Sequence, residues 1–227
     1  MRIVKLVVLG VVLIGTASAV QGSLITYVTP PGYTLSGLPV DASITFTLSD
    51  GAMTIDISNL VVDPVGIIQN VSSVQFGVDV DLAGVALVSS SCTERTVDGD
   101  GTYAAGASVS TGWMLSVVDE QLVLMSALGS GQPKRTVIGA PDADDVYGSA
   151  NGSIAGNNPH NPFAAETATF TVSLPALKEN SRLNNMALGF GTVPGTYVPV
   201  PVPVPEPATL SLLALGGLGL LARRRRK

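Results

Sequence analysis

The chain has 227 residues, 46% of them hydrophobic and only 13% charged, with a formal charge of −5. Seven of its 12 basic residues sit at the two ends, so the stretch 20–207 holds five cations against all 17 carboxylates, a formal charge of −12. That balance excludes nucleic acid and anionic lipid as partners, both of which need a basic footprint. A single cysteine, Cys92, excludes an internal disulfide and leaves the fold to its apolar core.

The N-terminus reads as a processing segment. Arg2 and Lys5 form a positive start, Leu6 to Ile14 an apolar run, and Ala17-Ser18-Ala19 a small-residue cleavage site. This is the pattern of a secretory signal peptide, residues 1–19, exported by the Sec machinery and removed after Ala19 by a signal peptidase that reads Ala17 and Ala19.

From 20 to 195 the chain reads as one all-β ectodomain, large enough for a single core. Ser23 to Val28 is a first strand, closed by Pro30-Pro31-Gly32. Ile44 to Leu48 alternates apolar and polar residues, Ser49 to Ala52 turns, and Met53 to Ile57 returns as the clearest hairpin. Val74 to Leu82 alternates again, with Asp79 and Asp81 outward, and Val85 to Val88 follows after Gly84. Cys92 falls in a Ser-rich stretch expected to be a loop or edge. Val109 to Val118 is read as one strand with Trp113, Leu115 and Val117 on a common side, turning at Asp119-Glu120 into Gln121 to Ala127. Ala168 to Leu174 and Met186 to Phe190 complete the set, and Ala176 to Asn185 has room for one helical turn. Short strands with outward Thr and Ser point to an antiparallel β-sandwich of jelly-roll or Ig-like type.

No catalytic constellation stands out, and an enzyme is not expected. A Ser-His-Asp triad would have to use His160, held between Asn158-Pro159 and Asn161-Pro162. Gly-x-Ser-x-Gly, His-Glu-x-x-His and phosphate-binding glycine loops are missing from the sequence. Asp98-Gly-Asp100 and Asp142-Ala-Asp144 offer oxygen atoms that suit calcium, but neither has the glycine and distal glutamate of an EF-hand loop. Plain turns explain both pairs, so no cofactor is expected, with calcium the one that the residue types would suit.

After Thr192 the sequence turns to Val-Pro repeats, and residues 196–204 read as a stalk in polyproline II. At about 3.1 Å per residue, the repeat would hold the ectodomain about 25 Å from a membrane. Pro205-Glu206-Pro207 comes next, then the uncharged run Ala208 to Ala222, then Arg223, Arg224, Arg225, Arg226 and Lys227. The run can satisfy its backbone internally as a helix in lipid, with the five cations on the cytoplasmic side. At about 1.5 Å per residue it reaches only about 22 Å, short of a core near 30 Å, and Gly216, Gly217 and Gly219 soften it. A short, soft span suits a substrate to be cut better than a lasting anchor.

The order of these three parts, residues 205–227, resembles the PEP-CTERM sorting signal: Pro-Glu-Pro, a short transmembrane helix, then an arginine cluster. The resemblance implies processing by an exosortase, a membrane enzyme of Gram-negative bacteria that make exopolysaccharide. It implies a precursor in the inner membrane and a product at the cell surface, in the outer envelope or in an extracellular matrix. The ectodomain is loosely similar to those of other proteins with this tail, in Asn157-Asn-Pro-His-Asn-Pro-Phe163 and Gly189-Phe-Gly191, which names no activity.

Two roles fit such a body. One is a non-catalytic structural or adhesive protein; the alternative is a carbohydrate-binding module on exopolysaccharide, stacking sugars on Tyr27, Tyr33, Tyr103, Trp113, Tyr147 or Tyr197.

Overall fold

The structure is a computed structural model and describes residues 23–126, 133–192 and 197–199. The described chain is all-β, as its alternating segments require. Its strands are β1 (Ser23–Val28), β2 (Thr34–Leu35), β3 (Leu38–Pro39), β4 (Ala42–Ser49), β5 (Ala52–Asn59), β6 (Val71–Val78), β7 (Ala86–Val97) and β8 (Tyr103–Val109). They continue as β9 (Met114–Val118), β10 (Gln121–Met125), β11 (Val137–Ile138), β12 (Phe163–Ala165), β13 (Thr167–Ser173), β14 (Leu183–Phe190) and β15 (Tyr197–Pro199). One 3-10 turn, Ile67–Gln69, precedes β6.

β2 and β3 form a small hairpin, and the other strands make one continuous sheet. β1, β4, β5, β13 and the first half of β7 form one part of it. The second half of β7 pairs with β8 and β12, and β12 leads through β11 to β6, which lies between β10 and β14. β7 is thus the hinge on which the sheet passes from one part to the other.

The period of two decides what each strand buries. Ala42, Ile44, Phe46 and Leu48 of β4 have no exposed surface, nor do Ile55 and Ile57 of β5. Phe170 and Val172 of β13 complete the buried side of this part, and Val74, Phe76, Leu122, Leu124 and Leu188 bury the other. The two sides meet: Phe46 and Phe76 are edge to face with centroids 5.0 Å apart, and Trp113 lies 5.1 Å from Phe170. On the opposite side of β4 and its neighbours, Thr26, Thr45, Asp56, Thr169 and Ser91 line up in register across five strands. Their hydroxyls bond laterally, Thr26 to Thr45 at 2.9 Å and Thr169 to Asp56 at 2.6 Å.

The hairpin expected around Ser49 to Ala52 is present, with Gly51 at a φ of +79° that L side chains rarely adopt. Several other expectations need correction. The sheet is mixed rather than wholly antiparallel, because β11 and β12 run parallel. The strand through Val74 ends at Val78, where the chain bends and the Asp79 carboxylate accepts the Arg182 amide at 2.7 Å; beyond it Val80 and Leu82 still pack against the core and Asp79 and Asp81 are exposed. Cys92 is not in a loop: β7 runs on through it, and it is buried and free. The stretch Val109 to Val118 is two strands, because Thr111 to Trp113 break it and carry the indole into the core. No helical turn forms over Ala176 to Asn185; β14 begins within it.

Three residues of the expected stalk are sheet. Tyr197–Pro199 pair with Ala187 to Gly189, and Val198 is fully buried. A proline-bearing strand is tolerated here because it lies at an edge, where one missing N–H breaks no second ladder.

Candidate functional site

The strongest concentration of buried polar chemistry lies where β7 crosses between the two parts of the sheet. Arg95 has the inward parity of β7 and is only 9% exposed. Its Nη1 donates to the Tyr147 hydroxyl at 2.8 Å and to Glu166 Oε1 at 3.0 Å. The Tyr147 hydroxyl in turn donates to the Gly139 carbonyl at 2.8 Å. The Arg95 guanidinium also lies 4.4 Å above the Tyr103 ring, a cation–π contact. Its Nε is buried without a hydrogen-bond partner.

Local backbone places each member. Glu166 is the single residue between β12 and β13 and takes a φ of +60°. Its amide donates to Ile138 and its carbonyl accepts from Asn59, so the turn is pinned from both sides. Gly139 passes so close to Val61 that a Cβ there would overlap the Val61 carbonyl. Tyr147 packs with Val97, Ile138, Ile154 and Phe163 in a second apolar cluster. Burial pushes its phenol up to about 12. A phenol kept protonated by burial and bonded on both sides ties Arg95 to the Gly139 carbonyl.

The calcium candidates lie close together without forming a cage. The Tyr147 amide donates to the Gly101 carbonyl at 2.9 Å, tying the Asp98–Thr102 turn to the loop after Asp142. Asp100 Oδ1 accepts from the Thr102 hydroxyl at 2.6 Å and from its amide at 3.0 Å, which holds the carboxyl below its ordinary range. Asp142 Oδ1 accepts the amides of Asp144 and Val146, at 2.9 and 3.1 Å. Asp98 and Asp144 are exposed. Among the described residues, no three His, Cys, Asp or Glu side chains converge to hold a metal ion.

His160 is buried, and its Nδ1 lies 2.9 Å from the Pro133 carbonyl, which can only accept. The proton on Nδ1 is therefore used to clamp two loops. Burial pushes the Cys92 thiol up, against the pull of Arg135, so its nucleophilic form is disfavoured. Of the aromatics offered for sugar stacking, Tyr27, Trp113 and Tyr147 are buried, and Trp113 Nε1 donates to the Arg135 carbonyl at 3.0 Å. Tyr33 is partly buried against the core, and Tyr103 lies under Arg95 with its hydroxyl on Asp145 at 2.6 Å.

The cluster around Arg95 was not legible as a site. Its one signal was position: Arg95 and Val97 keep strand parity, but no alternating apolar run marks Ser89 to Thr93, so the strand read from Val85 stops at Val88.

The residues with the most specific chemistry lie elsewhere. Ala17 and Ala19, Pro205, Glu206, Pro207, and Arg223 to Arg226 are all outside the described residues, as are the apolar runs beside them. Among the described residues, no helix is long and apolar enough to cross a membrane. Residues 203–227 match the family model of the PEP-CTERM protein-sorting motif. The match covers the Pro-Glu-Pro, the apolar run and the basic end together. No curated protein and no solved structure matches the chain.

Proposed function

We propose that this is an exported, non-catalytic surface protein of structural or adhesive type, sorted through its C-terminal motif by an exosortase. The match over 203–227 carries the reading. The N-terminal segment 1–19 delivers the chain to the Sec machinery, and a signal peptidase removes it. The span 208–222 then holds the precursor in the inner membrane, with 223–227 on the cytoplasmic side. Cleavage near Pro205-Glu206-Pro207 passes the body to the cell surface or to a surrounding polysaccharide.

The body is a β-sandwich built for durability rather than turnover, and three features support this. Its two apolar sides interlock through Phe46 and Phe76. Its buried polar groups Arg95, Tyr147 and His160 are spent on clamping segments to one another. Three of the six aromatics that would stack sugars, Tyr27, Trp113 and Tyr147, are buried, which favours a structural unit over a carbohydrate-binding module.

Replacing Pro205-Glu206-Pro207 by three alanines tests the sorting step. The variant should accumulate in the inner membrane as a longer form, seen by fractionation and immunoblotting of the host. Maturation to the same mass and location as the wild type would refute processing at this motif.

A further inference from the structure

We infer that β9 is a pairing edge, through which two copies of this chain join antiparallel into one extended sheet. β9 pairs with β10 alone among the described residues, so its second edge has no strand partner there. Edges of this kind are ordinarily blocked by proline, by lysine or by a charge. At the far end of the same run of strands, β15 carries Pro199 inside the Val-Pro repeat. β9 has no such guard: Met114-Leu-Ser-Val-Val118 is uncharged, free of proline and rich in β-branched side chains.

Exposure and shape agree with an unfilled interface. Met114 is 51% exposed, and Val117 and Val118 are each 48% exposed. Beside them runs an apolar groove whose other wall is Val85 and Leu87, with Trp113 at its end. Apolar side chains grouped on an edge mark a contact surface.

The occupant is identified by symmetry and charge. An isologous contact needs a surface complementary to itself. Centred on Ser116, antiparallel pairing sets Met114 against the second copy's Val118, Leu115 against its Val117, and Ser116 against its Ser116. The apolar-apolar-Ser-apolar-apolar pattern maps onto itself. The edge also carries no charge that would repel a second copy. Tyr103 to Val118 contains no ionisable side chain except the tyrosine, in an exported stretch at −12. In the same register Asp119 and Glu120 fall opposite Trp113 and Gly112, so no two carboxylates face each other. This inference does not depend on how the tail is processed.

The test uses the full-length protein purified in detergent. Sedimentation equilibrium should show a dimer, and Val117→Lys should weaken it at least tenfold while leaving the near-ultraviolet circular dichroism of Trp113 intact. Directly opposed residues have Cβ atoms about 4.5–5.5 Å apart. Ser116→Cys should therefore form a disulfide-linked dimer under mild oxidation, whereas Thr167→Cys on the exposed side of β13 should not. A monomer throughout, a dimer indifferent to Val117→Lys (the outcome if the apolar tail alone associates), or equal cross-linking of the two cysteine variants would overturn the proposal.

Discussion

Phe46→Ala is expected to be the most damaging single substitution in the body, lowering unfolding free energy by about 3–5 kcal/mol. Phe46 has no exposed surface and is the residue on which both parts of the sheet converge. Its ring meets Tyr27 edge on at 6.1 Å and Phe76 at 5.0 Å, so truncation removes two aromatic contacts besides leaving a cavity. The strands around it are held in full ladders on both sides of β4, which limits collapse into the space. Urea unfolding of the purified protein, followed by Trp113 fluorescence, reads the change. A loss below about 1 kcal/mol would mean that the two apolar sides do not share one core.

Arg95→Ala should cost about 2–4 kcal/mol, and Arg95→Met clearly less. Removing one partner of a buried ion pair generally costs about 3–5 kcal/mol, because the other charge is left uncompensated. Here the Glu166 side chain is 44% exposed and can turn to water, which lowers the expectation. Tyr147 also keeps its bond to Gly139. What remains is lost packing on Tyr103 and the void beneath it, and a methionine stem fills much of that space. Comparison of the two variants by urea unfolding separates volume from charge. Equal losses would place the whole contribution in the ion pair and the cation–π contact.

The same contrast explains how much of the molecule was legible. Strands with one buried side declare themselves: β1, β4, β5 and β13 are present where alternation put them, and the Asp50-Gly51 turn joins the expected pair. Strands without that pattern do not. Every residue from Ala104 to Ser108 of β8 is exposed, so nothing in its apolar spacing marks a strand. β11 and β12 have two and three residues; Asn59 bonds Val137 of the one and Thr136 bonds Ala164 of the other, each a partner far away in sequence. The serines in the middle of β7 hide its continuation, and with it the burial of Cys92 in the main core and of Arg95 against Tyr103 and Tyr147. Asp98, Asp100, Asp142 and Asp144 show the converse. Their spacing was visible, but side-chain to backbone bonds inside each turn were not, and those bonds occupy Asp100 and Asp142. Of the proposed stalk, Tyr197–Pro199 is an edge strand that pairs with β14 and buries Val198. The sorting motif needed no fold to be read, since its information is linear: a tripeptide, a span and a charge cluster in fixed order.

Mass spectrometry of the protein recovered from its host tests the central claim most directly. The mature chain should begin at Val20 and end near Pro205-Glu206-Pro207, without the span 208–222 or the basic end 223–227. A mature chain that still ends at Lys227 would contradict it and make the tail a permanent anchor.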